Sequence, residues 1–297
     1  MLWYTKNRCT RDKVRERGCR GRRKRIKQEG YGLGMKFDMH CHTKEGSLDG
    51  KVPVEDFIQA LSDRGYDGML VSDHNSYNGY RAWKKSVNAG WSRDFVVLKG
   101  IEYDTIDAGH ILVIMPEGVK LKILELRGLP VNFLIEIVHK HGGILGPAHP
   151  CGEKYLSITN TRQFRNRLAV MDRFDFLEGF NACESRESNA RAMEIAAEHG
   201  LPIFGGSDAH RRDCVGLGYT EFKGDISCES DLIRLVKNKG MECCACGGEY
   251  YGGTTKEKIG KANNILVQSF WLYNRLGSML RHRKRLIELK KLYIRIK

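Results

Sequence analysis

The sequence predicts an α/β fold in which seven or eight strands, alternating with helices, form a barrel. Short apolar runs with a glycine close by are typical of buried parallel strands. Between these runs lie segments whose apolar residues recur at helical spacing, several of them ending at a glycine. Histidines and acids follow many of the runs, and barrel enzymes of this kind place their chemistry at the C-terminal ends of strands.

The predicted elements alternate along the chain, which favours a parallel sheet. The strands are predicted at residues 35–39, 68–72, 95–101, 110–115, 142–148, 174–180 and 202–207. The helices are predicted at residues 54–65, 131–142, 188–200 and 229–240.

Short blocks of the sequence combine histidine with acids and contain almost no cysteine. Histidine with carboxylate is the ligand set of a catalytic cluster of divalent metals, so the blocks indicate such a cluster. A histidine taken alone is more often a core or surface residue, but here each block follows or begins an apolar run. Side chains at i and i+2 of a strand share a face, so His40 and His42 should project together. Asp208 and His210 should repeat that geometry. The blocks are HCH at 40–42, SDH ending at His74, GIE ending at Glu102, GH at His110, AHP around His149 and SDAH at 208–210.

The ordered blocks resemble those of one known family. They read HCHTKEGSLDG (40–50), VSDHNSYNG (71–79), GIEYDT (100–105), GHILV (109–113), GPAHP (146–150) and GGSDAHRRDCVGLGYT (205–220). This order resembles the PHP (polymerase and histidinol phosphatase) superfamily of metal-dependent phosphoesterases, in particular its branch of nucleotide phosphatases and 5′-to-3′ exoribonucleases. The resemblance runs from Met35 to about Tyr219 and implies a distorted (β/α)7 TIM-like barrel.

The resemblance also implies a role for each ligand. His40, His42 and Asp208 would hold one metal, Glu102 would bridge to a second held by His110 and His149, and Asp49, His74 and His210 would hold a third. Asp49 stands where other branches have histidine, and the segment before His110 varies in length. Glu102, Asp208 and His210 would also be catalytic. Two or three ions are expected, and histidine with carboxylate suits Mn, Zn or Fe without choosing among them.

Phosphoester hydrolysis suits such a cluster because divalent cations neutralise the phosphate oxygens and lower the pKa of a bound water. We therefore expect a phosphoesterase that hydrolyses a phosphomonoester or a nucleotide or oligonucleotide phosphate by a metal-activated water. Arg186 and Lys44 are the expected phosphate-binding residues; Arg211 and Arg212 are further candidates, and surface charge is the ordinary alternative for each. Asp73 is expected either to support a ligand or to cap the following loop.

The net charge of +14 is unevenly distributed. Residues 1–34 carry twelve Lys and Arg against three Asp and Glu, and residues 254–297 carry twelve against two. The residues between them have a net charge of −5, so the predicted barrel is mildly acidic. This distribution argues against a nucleic-acid track across the active-site face.

The chain is predicted to have three regions, of which residues 35–253 form the barrel. Residues 1–34 lack apolar periodicity and are expected to be disordered; they are either an artefact of an upstream start codon, with Met35 as the true start, or a basic arm that binds nucleic acid. Residues 254–297 contain an amphipathic basic helix, or two. This helical extension either packs on the barrel or binds RNA or an anionic membrane surface.

No run approaches about 18 apolar residues and no secretory signal is present, so no transmembrane span is expected. The ten cysteines are scattered, which favours reduced thiols in a cytoplasm. The cysteine-rich stretch 241–248 favours a buried strand or loop over a second metal site.

The alternative function is a non-catalytic barrel that binds nucleic acid or a partner through its basic ends, although such a barrel has no need of clustered ligands. A histidinol-phosphate phosphatase or polymerase-associated domain is a weaker candidate.

Overall fold

The computed structural model describes residues 34–251, except 89–94, 153–155, 162–163 and 165–169. The expectations for the basic N-terminal segment and for the helical extension at 254–297 therefore lie outside the described residues. In the described part of the chain the fold is α/β, as the sequence predicts.

Nine strands and five α-helices are present in the described residues. Every strand and helix predicted from the sequence overlaps an observed one, while the helix Asn78–Asn88 and the strand Gly218–Phe222 were not predicted. The strand Cys244–Gly248 falls in the cysteine-rich stretch predicted to be a strand or loop. In chain order the elements are β1 (Met35–Cys41), α1 (Val54–Asp63), β2 (Gly68–Val71), α2 (Asn78–Asn88), β3 (Val96–Asp104), β4 (His110–Ile114), α3 (Val131–Lys140), β5 (Ile144–Pro147), β6 (Leu177–Asn181), α4 (Arg186–Glu198), β7 (Ile203–Gly206), β8 (Gly218–Phe222), α5 (Glu229–Lys239) and β9 (Cys244–Gly248).

The strands form a curled seven-stranded sheet in the order β5-β4-β3-β2-β1-β8-β9, together with the separate pair β6-β7. Hydrogen bonds link this pair to both sides of the curl. On one side the N–H of Asp175, shortly before β6, donates to the Leu145 carbonyl of β5 at 2.9 Å. On the other side the N–H of Asp208, shortly after β7, donates to the His40 carbonyl of β1 at 2.9 Å. The strands β1 to β7 thus follow one another around a distorted TIM-like barrel, which confirms the predicted fold class.

The prediction of a parallel sheet is wrong for β4, and the additional strands β8 and β9 are also antiparallel to their neighbours. Parallel pairs are β1-β2, β2-β3 and β6-β7, whereas β4 runs antiparallel to both β3 and β5. Only residues 105–109 connect β3 to β4, and a parallel connection needs about a dozen residues or more. As a result Asp104 at the end of β3 pairs with His110 at the start of β4, so His110 reaches the ligand edge from the N-terminal end of its strand.

The helices cover the barrel with one apolar face each. In α1 the buried residues are Val54, Phe57, Ile58 and Leu61, at the spacing of a single helical face. The helix α4 begins after Ser185, whose side chain accepts a hydrogen bond from the Ser188 N–H at 3.1 Å and so caps it. No helix in the described ranges is both long enough and apolar enough to cross a membrane.

A core cluster of aromatic and aliphatic side chains ties the strands together. The Phe37 ring of β1 meets the Phe222 ring of β8 edge-on at 5.8 Å, and the rings of Phe176 and Phe204 stack at 4.2 Å. Leu232 of α5 joins the same cluster. These buried contacts fix β1 and β7 side by side, and both strands lead directly into candidate ligands.

Gly206 at the end of β7 lies where β1 passes closest. A Cβ there would be 2.4 Å from the His40 Cβ and 2.5 Å from the His40 nitrogen. We therefore predict that Gly206→Ala lowers the free energy of unfolding by about 1–3 kcal/mol, because β1 must shift. Urea denaturation followed by circular dichroism measures the loss. The control is Gly224→Ala, where the nearest atom is the flexible end of Leu235 at 3.1 Å; equal losses in both variants would contradict this packing.

Candidate metal centre

The nine ligands that the sequence indicated meet at one edge of the barrel. His40 and His42 lie at the end of β1, and His74 and His149 lie shortly after β2 and β5. Glu102 is in β3, Asp49 is in the loop after β1, and Asp208 and His210 follow β7. Their donor atoms, together with those of Asp104, form four overlapping groups in which the atoms lie within 4.8 Å of one another.

The first donor set consists of His40, His42, Asp208 and Glu102. The Nε2 atoms of the two histidines are 3.0 Å apart. Asp208 Oδ1 lies 3.6 and 3.2 Å from them, and Glu102 Oε2 lies 3.5 and 3.3 Å from them. Nitrogen and oxygen ligands at tetrahedral zinc distances are separated by about 3.4 Å. The donor atoms of His40, His42 and Asp208 lie within 4.8 Å of one another, close enough to share a divalent cation, and Glu102 Oε2 lies beside the two imidazoles.

The second donor set uses the other oxygen of Glu102. Its Oε1 lies 2.9 Å from His110 Nδ1 and 3.0 Å from His149 Nε2. Glu102 is 1% exposed, and its two oxygens face two different sets. This is the placement that a bridging carboxylate requires.

The third donor set is the open one. Asp49 Oδ2 lies 3.2 Å from His210 Nε2 and 3.7 Å from His74 Nε2. His42 lies in the same group. The Asp49 side chain is 55% exposed, so the cluster is open to solvent on this side.

Outer partners hold the second nitrogen of several rings. His40 Nδ1 lies 2.8 Å from Glu178 Oε1, and His42 Nδ1 lies 3.1 Å from Ser47 Oγ. His210 Nδ1 lies 3.0 Å from its own loop's Asp208 carbonyl. Such contacts fix the ring orientation and direct the other nitrogen towards a metal. Glu178 was not among the predicted site residues, although an acid inside the apolar run 174–180 was a signal.

Asp73 makes contacts of both kinds that the sequence left open. Its carboxylate accepts from the Thr43 N–H at 2.7 Å and the Gly79 N–H at 3.1 Å, which ties together two loops. It also accepts from Ser47 Oγ at 3.1 Å, and Ser47 in turn contacts the His42 ring. Asp73 thus supports His42 through Ser47 while it also anchors the start of α2.

Unusual backbone conformations coincide with the ligand loops. Among the described residues, the non-glycine residues with positive φ are Asn75 (49°), His149 (28°) and Asp208 (50°), a conformation that costs energy and often marks functional sites. The prediction that Asp208 and His210 converge as an i, i+2 strand pair is wrong, because β7 ends at Gly206. The left-handed turn at Asp208 brings the two side chains together instead.

The cluster shifts the pKa values of its own members. Burial opposes a charge on His74, but Glu102, Asp104 and Asp49 outweigh it and raise its pKa to about 10. The pKa values of His40, His149 and His210 are raised in the same way. Burial also opposes ionisation of Glu102 and Asp208, yet the surrounding histidines hold their pKa values well below the usual range. Carboxylates that are balanced by several imidazoles fit a set of bound cations, which would replace the protons.

The expected phosphate-binding residues lie at different places on the surface. Lys44 is exposed in the loop that follows His42. Arg186 is the first residue of α4, and its guanidinium lies 4.3 Å from the centre of the Tyr250 ring. Arg211 is paired with Asp213 at 3.0 Å. It lines an open cleft of about 660 Å³ beside the third set, together with Arg212 and Lys51.

Comparison with known families gives a consistent assignment. The model of the PHP domain matches residues 38–199, more than half of the chain. A second model, described as PHP-associated, matches residues 186–239. No curated protein sequence matches the chain.

Solved structures share the fold at low sequence identity. PsfC from Pseudomonas syringae is 15% identical with a TM-score of 0.52, over 80% of this chain and 100% of that chain. The lesion-specific endonuclease PfuEndoQ from Pyrococcus furiosus is 18% identical with a TM-score of 0.53, over 70% of this chain and 57% of that one. A two-domain protein from Bacteroides vulgatus, described as containing a predicted PHP-like metal-dependent phosphoesterase, is 16% identical with a TM-score of 0.50, over 77% and 70%. At these identities the likeness establishes the fold.

The raised pKa of His74 predicts how the stability of the metal-free protein depends on pH. Its stabilising contribution is fully present below the ordinary value of 6.5 and is lost as the pH rises to about 10. Glu102 and Asp208, with lowered pKa values, stay ionised throughout this window. The free energy of unfolding of the metal-free protein should therefore fall, on the order of 1–3 kcal/mol, between these two pH values.

Urea denaturation in a chelating buffer measures this fall. His74→Gln should reduce it, because that variant lacks one of the titrating groups. In the metal-loaded protein the fall should be absent, because metal affinity rises as the ligands lose their protons. A metal-free protein whose stability stays constant from neutral to alkaline pH would contradict this account of the cluster.

Proposed function

The chain belongs to the PHP domain family, and we propose that it is a metal-dependent phosphoesterase that hydrolyses a phosphomonoester or a nucleotide or oligonucleotide phosphate. The observation that carries the proposal is the position of Glu102, whose two oxygens face two donor sets. The third donor set lies beside them on the exposed side. Such a layout suits a phosphate group that needs several positive charges within a few ångströms.

We assign the donor sets to the metals as follows. His40, His42 and Asp208 would hold the first, His110 and His149 the second, and Asp49, His74 and His210 the third, with Glu102 shared by the first two. When bound, two or three divalent cations would lower the pKa of a coordinated water and neutralise the charge on the phosphate oxygens. The donor types suit Mn, Zn or Fe.

Three of the chain's residues would take part most directly in catalysis. Glu102 and Asp208 remain ionised at neutral pH because of the histidines around them, and they would supply the fixed negative charge that holds the cluster together. His210 lies on the open side with its side chain 31% exposed. As a ligand of the third position it would act by holding the cation that faces the substrate.

Arg186 and Lys44 would bind the non-reacting part of the substrate phosphate. The Arg186 guanidinium offers a planar fork of donors that matches phosphate. Its packing against Tyr250 restricts its orientation. Lys44 extends from the same loop that carries Asp49, on the open side of the cluster.

A nucleic-acid substrate has two independent points of support. The lesion-specific endonuclease PfuEndoQ shares the fold. The two ends of this chain have net charges of +9 and +10, against −5 for the residues between them, which favours contact of the ends with a phosphate backbone. The alternative that the chain only binds nucleic acid or a partner through these ends remains a second candidate. The buried donor sets favour catalysis, because a binding surface does not require them.

A reducing compartment fits the cysteines. None of the eight cysteines in the described ranges is part of a disulfide, which is the usual state in a cytoplasm. We therefore propose that the protein works there.

The direct test is the loss of hydrolysis when a donor is removed. Asp208→Ala and His42→Ala should each lower turnover of p-nitrophenyl phosphate at saturating Mn by more than about 100-fold. Removing a residue that only orients a metal ligand costs at most about 100-fold, so the loss of a ligand should cost more. The control is His139→Gln. This variant removes a partly exposed histidine of α3 that pairs with Asp175. Near wild-type turnover in either donor variant would overturn the proposal.

The substrate class is tested on the metal-loaded protein. Nucleoside bisphosphates, sugar phosphates and short RNAs are compared by phosphate release and by product length on gels. We expect hydrolysis of a nucleotide or of an oligonucleotide end, and we expect Asp208→Ala to abolish it. Tight RNA binding without hydrolysis of any of these compounds, unchanged in Asp208→Ala, would support the binding-only alternative.

A further inference from the structure

Asp104 lies between two of the candidate metal positions but belongs to none of the donor sets that the sequence indicated. It is the last residue of β3. Its Oδ1 is 3.3 Å from His74 Nδ1 and 3.3 Å from His110 Nε2. In the described part of the chain, Asp104 Oδ1 and His74 Nδ1 are both buried without a hydrogen-bond partner. Buried polar atoms of this kind call for an explanation.

The rest of Asp104 is firmly held. Its other oxygen, Oδ2, lies 2.8 Å from the guanidinium of Arg127. Its N–H donates to the Asn75 side chain at 3.0 Å, and its carbonyl accepts from the Gly128 N–H at 2.8 Å. Three separate contacts therefore leave Oδ1 pointing at the two imidazoles.

The geometry of the two rings indicates what Oδ1 does. His110 directs Nδ1 at the bridging Glu102, at 2.9 Å, so its Nε2 faces outward to Asp104. His74 directs Nε2 at Asp49 in the third set, so its Nδ1 faces inward, 3.1 Å from Glu102 Oε2 and 3.3 Å from the same Asp104 oxygen. Because Glu102 is the bridging ligand of the first two sets, Asp104 is the acceptor left for this N–H when cations are bound. His40 and His42 have Glu178 and Ser47 as outer partners. Asp104 occupies the equivalent place for His74 and His110.

We propose that Asp104 is a positioning residue: when cations occupy the neighbouring positions, His74 Nδ1–H and His110 Nε2–H, each 3.3 Å from its Oδ1, turn to donate to that oxygen. Arg127 holds the carboxylate in place. The two hydrogen bonds fix the tautomer of both rings and couple the second donor set to the third through one oxygen atom. The proposal rests on the metal-binding part of the proposed function and not on any substrate. A direct ligand role for Asp104 is the competing arrangement, but His110 would then have to give both ring nitrogens to cations and lose its last proton.

Metal titration of Asp104→Asn tests the proposal. The amide keeps the size of the side chain but removes the charge that favours the two N–H groups. Mn binding is followed by calorimetry on the full chain, and the metal bound at saturation is counted by elemental analysis. We expect affinity to fall about 10–100-fold at the second and third positions, with the first position and the number bound at saturation unchanged. The control is Asp225→Asn, an exposed carboxyl in the loop after β8, at the sheet end where Phe222 pairs with Met35.

Arg127→Gln provides a second variant that spares the fold, because the Arg127 side chain is 41% exposed. It should weaken Mn binding at the same two positions, by less than Asp104→Asn does. Nitrogen-15 spectra of histidine-labelled, metal-loaded protein should show one proton-bearing Nε2 and one proton-bearing Nδ1 that are disturbed in both variants and unchanged in Asp225→Asn.

Three results would overturn the proposal. They are unchanged Mn affinity in Asp104→Asn, a smaller number of ions at saturation, which would make Asp104 a ligand, and unaltered ring protons in both variants. None of these measurements uses a substrate. A protein that binds Mn as described but hydrolyses no phosphoester would thus refute the proposed function and leave this inference standing.

Discussion

The burial of Glu102 is the constraint on which the rest of the site depends. This carboxylate is 1% exposed, and an isolated buried charge is costly unless it is paired. Its two oxygens lie within 3.5 Å of ring nitrogens from His40, His42, His74, His110 and His149. Those rings come from the ends of β1, β2, β4 and β5, so four strands must end at one level around β3. This edge of the barrel therefore surrounds one buried carboxylate with five imidazoles.

The direction of β4 follows from the same requirement. Glu102 pairs with Leu112 across the β3-β4 ladder, and Asp104 pairs with His110. A short turn that reverses the chain after β3 returns it at once to the ligand edge. A parallel β4 would begin at the far end of the sheet and would bring His110 there. The antiparallel strand is therefore the local departure from a regular barrel that gives the second donor set one of its imidazoles.

The sequence predicts the inner donors better than the contacts that orient them. The ligands occur in ordered local blocks at strand ends, so the nine residues could be named without a structure. Glu178 and Asp104 could not be placed in this way, because their partners are fixed by tertiary packing; Glu178 lies 138 residues from His40. The helix α2 was missed because it carries few apolar residues, and β8 because it extends the sheet on the far side of β1, beyond the alternating pattern.

Burial falls steadily across the cluster, and this gradient gives the donor sets different properties. His40 and His42 are fully buried, the side chains of His110 and His149 are about one-tenth exposed, and those of His210 and Asp49 are 31% and 55% exposed. A cation in the first set would be enclosed by protein, while one in the third would share its surroundings with solvent and substrate. The third position must therefore hold its rings in place with less packing than the others. A carboxylate such as Asp104, which reaches His74 from the enclosed side and is itself fixed by Arg127, supplies by hydrogen bonding the order that burial supplies at His40.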